Sequence, residues 1–338
     1  MRAREGDLIK SKSNVVFDVK GLLHPEGKII AFPRFIPTPQ GNRQGTDATY
    51  GKIYSLDERF KYLQQNYPEL IVFDSVFDEK MCEVPETEVS EHYKPEEKLW
   101  ALRSAKDLTV LENKALQMAQ TLKAESTIPW SSIGVSGSIM AGLTTDKSDI
   151  DLLVFGIDNC RKAYSAVQKL LSKTNSGFKP YSKEELAELF DFRSKDTKMS
   201  FEDFVIVESR KAFQGKFMGT DYFIRFVKDW SEVGERYGDV FYKNSGYVKI
   251  KAKIADSTDS LFTPCTYWLQ DVGVVDGPKL TQITQISSFR GRFCEQAVNG
   301  ETVEAQGKVE LVTNKKTGSE NYRLILGNKP TDYMVLSH

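Results

Sequence analysis

Asp149 and Asp151 stand two residues apart at the head of an apolar run that reaches Phe155. Alternate side chains of a strand share a face, so the two carboxylates point the same way, roughly 7 Å apart. Unpaired carboxylates held that close repel each other unless a cation sits between them. Oxygen-only ligands favour Mg²⁺ or Mn²⁺ over zinc. About ten residues upstream, a shorter apolar run ends in Gly137-Ser138. Gly137 lets the backbone approach a ligand closely, and Ser138 offers a hydroxyl and an amide. The pair ends one strand and opens a helical turn, Ile139 to Gly142, whose free amides form an anion site. Phosphates above and metal-binding carboxylates beside them are what is needed to hold a metal–nucleoside triphosphate and move a nucleotidyl group. Gly137, Ser138 and Ser148 are the expected nucleotide contacts.

At Val135-Ser136-Gly137-Ser138 and Ser148-Asp149-Ile150-Asp151-Leu152 the chain resembles the DNA polymerase β-like nucleotidyltransferase superfamily. The family pattern is an apolar residue, Gly, then Gly or Ser, an interval, and Asp-apolar-Asp-apolar. The match is tight across the motif and looser around it. Over its whole length the chain resembles an uncharacterised archaeal group of predicted nucleotidyltransferases, a likeness that supplies no substrate. Many small family members carry an arginine soon after the Gly-Ser pair, whereas Ile139, Met140 and Ala141 follow here. Phosphate contacts must then rest on backbone amides and on a basic residue from elsewhere.

The resemblance implies a third acid on a later strand, and Asp221 is the expected one. Glu202, Asp203 and Glu208 compete but read as solvated helical residues. Phe223 and Arg225 share the face of Asp221, so Arg225 is the candidate for the missing phosphate arginine. In the implied reaction an acceptor hydroxyl attacks the α-phosphorus of a nucleoside triphosphate and pyrophosphate leaves. Asp149 and Asp151 would bind two Mg²⁺ (or Mn²⁺) ions and Asp221 would complete the second site. One rival is a nucleotide- or RNA-binding module that keeps the fold without the chemistry. Another keeps the chemistry and changes the acceptor among RNA, a protein side chain and a small molecule. The β-rich flanks tilt the reading towards a macromolecule.

These residues need elements to position them. The pattern gives an α+β chain: a small mixed sheet with packed helices over 95–240, flanked by a β-rich module with one helix over 1–94 and a small β-barrel or sandwich over 241–338. Val15 to Val19 and Lys28 to Phe32 read as strands, and Gly41 to Gly51 as a polar loop. Ser55 caps a helix that Pro68 stops. Residues 69 to 94 read as one strand and an acidic loop. Pro95 opens a helical region to about Ala124, in one helix or two. Helices follow over Asn159 to Ser172, from Ser182 to about Phe192, and from Ser200 to near Phe213. Asp221 to Val227 is the strand of the third acid. Beyond Gly246 strand-like runs recur, with hairpin signals at Asn299-Gly300 and Thr317-Gly318.

The formal net charge of −1 excludes a broadly basic nucleic-acid binder, so any such contact is local. Lys249, Lys251 and Lys253 alternate with apolar residues and put three ammonium groups on one strand face. That stripe is either a solvated face or an RNA-backbone contact. Phe289-Arg290-Gly291-Arg292-Phe293 would add to it, or form a hairpin with outward arginines. Four separated cysteines without a CxxC read as buried free thiols. The three histidines, His24, His92 and His338, leave no material for a triad or a histidine metal site. No run is long enough to cross a bilayer, and the N-terminus lacks a signal-peptide core, so the cytoplasm is the expected location.

Overall fold

The computed structural model describes residues 1–194 and 199–337; His338 lies outside the described residues. The chain is mixed α+β and divides into two compact units. The first comprises residues 1–72, 80–180 and 212–233, and the second comprises 73–79, 181–211 and 234–338.

The first unit begins with strands β1 (Leu8–Ser11), β2 (Val16–Val19), β3 (Lys28–Pro37), β4 (Arg43–Gln44) and β5 (Thr49–Lys52). Helix α1 (Leu56–Asn66) follows, then β6 (Ile71–Asp74), β7 (Glu79–Pro85) and β8 (Val89–Tyr93). The sheet order is β4-β5-β3-β2-β1-β8, with β7 also paired to β3. Ser55 starts α1 through a reciprocal capping box with Glu58, which satisfies two otherwise orphaned backbone donors. Two segments read as loops are strands. The polar stretch after Gly41 contains the short hairpin β4–β5, and the acidic stretch before Pro95 contains β7 and β8. Val89–Tyr93 carries exposed Ser90 and Glu91, so it lacks the apolar content that marks a strand in sequence, and pairing with β1 decides it.

Helices α2 (Pro95–Ser104) and α3 (Val110–Ser126) lead into β9 (Ile133–Val135), the short α4 (Gly137–Ala141) and β10 (Ile150–Phe155). Then come α5 (Ile157–Ser172), β11 (Phe178–Lys179), β12 (Gln214–Phe217) and β13 (Thr220–Val227). The five-stranded order is β11-β12-β13-β10-β9, with β10 parallel to β13 and the remaining pairs antiparallel. Helices α3 and α5 pack on each other and on β10. Burial on both faces explains the continuous apolar run from Leu152 to Phe155. Leu153 and Phe155, on the face of Asp149 and Asp151, cluster with Val227 and with Leu22 of the N-terminal segment.

The second unit contains α6 (Lys183–Arg193), α7 (Phe201–Glu208) and strands β14 (Val240–Asp256), β15 (Cys265–Asp276), β16 (Ile283–Ser288), β17 (Thr302–Asn314), β18 (Glu320–Leu326) and β19 (Tyr333–Leu336). Pairing runs β14-β15-β16-β18-β17, and β17 returns to β14, so five strands close a barrel rather than a sandwich; β19 lies beside β17. Helix α7 stops at Glu208, short of the expected Phe213, because Gln214–Phe217 is taken by the sheet of the first unit. Glu208 is a second correction. It is buried against Lys211 and Arg193, each at 2.6 Å, and is not solvated. The Phe289–Phe293 stretch forms no outward hairpin. It ends β16 in a tight turn with Phe293 buried, and Arg290 donates to the Gly327 carbonyl at 3.0 Å.

Candidate functional site

The residues of the Gly-Ser and Asp-x-Asp motifs meet at one end of the five-stranded sheet. Strand β9 lies antiparallel beside β10, with Val135 opposite Leu152. The chain leaves β9 through Ser136, whose amide donates to the Asp151 carbonyl at 2.9 Å. Gly137 then takes φ +61, and a Cβ built there would lie 2.0 Å from Asp151 Oδ2. Only glycine combines that backbone with so close a carboxylate. The next residue, Ser138, is 3 % exposed, and its hydroxyl is buried without a hydrogen-bond partner. An orphaned buried hydroxyl costs free energy in the bare protein. Ser148 behaves differently. Its oxygen accepts from the Thr145 amide at 2.9 Å and closes the turn that delivers Asp149.

Asp149 and Asp151 are both half-buried. The Asp151 carboxyl is pushed up to about 6, first by burial and then by the negative charge of Asp149; Lys52, Arg225 and Arg34 pull it back. The mutual repulsion that alternation on a strand predicts is therefore present, on a side chain with little water to screen it.

Asp221 stands one step before the Ile150–Tyr222 pair of β10 and β13, level with Asp149. It sits at the start of β13, its side chain 51 % exposed, and pairs across the hairpin with Lys216 at 3.2 Å. Among the described residues no group of three or more His, Cys, Asp or Glu side chains is disposed to hold a metal ion. Arg225 lies on the face of Asp151 and influences its charge. It also donates to Glu5, which is fully buried and accepts from the Gly21 amide at 2.8 Å.

The residues that sequence reasoning missed come from the N-terminal sheet. Lys52 of β5 faces both carboxylates. Burial, with Arg34 and Arg43 nearby, lowers its ammonium to about 8 against the pull of Asp149 and Asp151. Arg43 donates to the Leu143 carbonyl just beyond α4 and so ties β4 to the Gly-Ser turn. The same contact surface includes Phe35 and Tyr50 packed with Met140 and Leu143. Asp18 of β2 is ion-paired to Lys20 at 2.7 Å and shares Arg225 and Arg34 with Asp151; those cations hold its carboxyl well below the usual range despite burial. A signal existed in the sequence. Asp18 and Arg34 interrupt otherwise apolar strands, and a charge in a buried run is rarely idle.

The histidines, the cysteines and the lysine stripe lie outside this constellation. His24 accepts from the Ile30 amide through Nδ1, its Nε2 lies 3.1 Å from the Ala3 carbonyl, and burial lowers its ring to about 4. His92 pairs with buried Asp7 at 2.8 Å. All four cysteines are buried free thiols. In the second unit Lys249, Lys251 and Lys253 do alternate with buried Val248, Ile250, Ala252 and Ile254, and Lys249 is held by Glu304 at 2.8 Å. No helix among the described residues is long and apolar enough to cross a membrane.

No protein-family model and no solved structure matches the chain. Along nearly its whole length it is similar to an uncharacterised protein of Methanocaldococcus jannaschii, with 28% identity over 336 residues that span 97% of this chain and 96% of that one.

Proposed function

We propose that the protein is a metal-dependent nucleotidyltransferase of the DNA polymerase β-like type, moving a nucleoside monophosphate from a nucleoside triphosphate to an acceptor hydroxyl. One observation carries the reading: Asp151, charge-coupled to Asp149, lies against Gly137, next in sequence to the partnerless Ser138 hydroxyl, with Lys52, Arg34 and Arg225 acting on it. Two oxygen-donor side chains suit Mg²⁺ or Mn²⁺, which takes one or two carboxylates and completes its shell with phosphate oxygens and water. Asp149 and Asp151 would hold the ion. When bound, it would neutralise phosphate charge and lower the barrier to in-line displacement. The residues of this chain would supply the rest: Ser138 donates to a phosphate oxygen, and Lys52 and the arginines offset the triphosphate charge and orient it.

A second reading, nucleotide binding without transfer, is favoured by the Asp221–Lys216 ion pair and by the absence, among the described residues, of a group of three or more His, Cys, Asp or Glu side chains disposed to hold a metal ion. The two readings separate in one experiment. Each of the four α-labelled triphosphates is incubated with the protein, Mg²⁺ and cell extract, and pyrophosphate release and labelled products are measured. Transfer predicts both. Retention of nucleotide without release would establish the second reading and remove the first.

A further inference from the structure

The barrel of the second unit has a specific connectivity. In chain order its strands are β14, β15, β16, β17 and β18, but around the barrel they run first, second, third, fifth, fourth and back to first. The third and fifth (β16 and β18) are parallel, and every other neighbouring pair is antiparallel. The long first strand bends through several register shifts and pairs with both the second and the fourth. This is the arrangement of the oligonucleotide/oligosaccharide-binding fold, whose ligands lie across the second and third strands and between the first–second and fourth–fifth loops.

A fold alone does not give a ligand; the outer surface at that place does. Cys265 and Tyr267 of β15 point into the barrel, both 0% exposed, so Thr266, Trp268 and Gln270 point out. Trp268 is 44 % exposed, a large aromatic face left in solvent at the middle of the expected binding strands. Gln285 of β16 stands directly opposite Trp268, and Lys253 of β14 opposite Gln270. Lys251 lies two residues along on the same side, exposed, with Glu304 of β17 opposite it. The fourth–fifth loop opens with Lys315, whose ammonium lies over the Phe241 ring, and Lys316, 59% exposed and ion-paired to Asp239 at 2.6 Å. An aromatic platform, neutral hydrogen-bonding side chains beside it and ammonium groups along the edges complement a single-stranded polynucleotide: bases stack, hydroxyls and base edges are hydrogen-bonded, and phosphates are neutralised. The glutamines and Thr266 suit ribose 2′-hydroxyls.

The geometry points to a single-stranded RNA site on the outer face of β15 and β16, centred on Trp268 and flanked by Lys251 and Lys253. It stands independently of the nucleotidyl-transfer reading. The test is fluorescence anisotropy of the full chain with a labelled single-stranded RNA of ~12 nucleotides, within the span one such barrel covers. Trp268→Ala should weaken binding about tenfold, and Trp268→Tyr, which keeps a stacking ring, should recover most of it. Lys251→Gln with Lys253→Gln should lower the slope of log affinity against log salt by about 1.4. Binding is measured without Mg²⁺ or triphosphate, so a failure of the transfer reading would not imitate a failure of this one. A DNA strand of equal length should bind more weakly, and a duplex or an oligosaccharide should not compete. No binding at low salt, wild-type affinity in Trp268→Ala, DNA binding as tight as RNA, or full competition by duplex or oligosaccharide would each overturn the assignment.

Discussion

Replacing Asp151 by asparagine should stabilise the metal-free protein while removing its metal response. The carboxyl of Asp151 is raised from 3.8 to about 6 by burial and by Asp149. The folded chain therefore holds that proton more tightly than the unfolded chain. Stability contributed by the protonated form is complete below about pH 4 and is lost as the pH rises towards about 6. A shift of about two units corresponds to about 3 kcal/mol, all of it lost above about pH 7 in the absence of a cation. Asparagine has the same shape and no charge to bury. Asp151→Asn should therefore match the wild type near pH 4 and exceed it at pH 7.5 by about 2–3 kcal/mol, or roughly 3–4 °C in melting temperature for a protein of this size. The assay is thermal unfolding in chelator across that range, repeated with Mg²⁺. The added ion should raise the wild-type midpoint at pH 7.5 and leave Asp151→Asn where it was. A mutant that is less stable at every pH, or whose pH profile runs parallel to the wild type, would refute the argument from buried, mutually repelling carboxylates.

Other outcomes follow from the same geometry. Ser138→Ala removes a buried hydroxyl that lacks a partner; it should leave the unliganded fold as stable or slightly more so and weaken triphosphate binding, read by calorimetry, by about tenfold. Gly137→Ala places a methyl 2.0 Å from Asp151 Oδ2 at φ +61. It should cost about 1–3 kcal/mol in denaturant unfolding and abolish the Mg²⁺ response. Lys52→Met keeps the bulk and loses the charge facing both carboxylates, so triphosphate affinity should fall about 10–100-fold, with little effect on helical content by circular dichroism.

What could be read in the sequence was local. Capping signals at Ser55, Ser182 and Ser200 each mark a helix start in the structure, because a cap is settled by residues within one turn. The Gly137-Ser138 and Asp149/Asp151 motifs each lie on a short stretch, and the strand period alone put both carboxylates on one face. The failures were non-local. Whether Val89–Tyr93 is strand or loop depends on β1, some eighty residues earlier. Lys52 and Arg34 act on the carboxylates only because the N-terminal sheet folds into the same unit as the core, which no periodicity reveals. Asp221 lies on the expected strand and face, and its carboxylate pairs with Lys216 across a hairpin whose first strand, Gln214–Phe217, begins just past the expected helix end at Phe213 and carries no strand signal of its own. The barrel's closure, β17 returning to β14, is likewise a pairing between distant segments.

The central claim is that Asp149 and Asp151, beneath the Gly137-Ser138 bend, carry nucleotidyl transfer. The most direct measurement is Mg²⁺-dependent pyrophosphate release from α-labelled triphosphates in the presence of cell extract, for wild type, Asp149→Asn and Asp151→Asn. The account predicts release by the wild type and a loss of at least about two orders of magnitude in both variants, with folding intact. Release at the wild-type rate by either variant would contradict it.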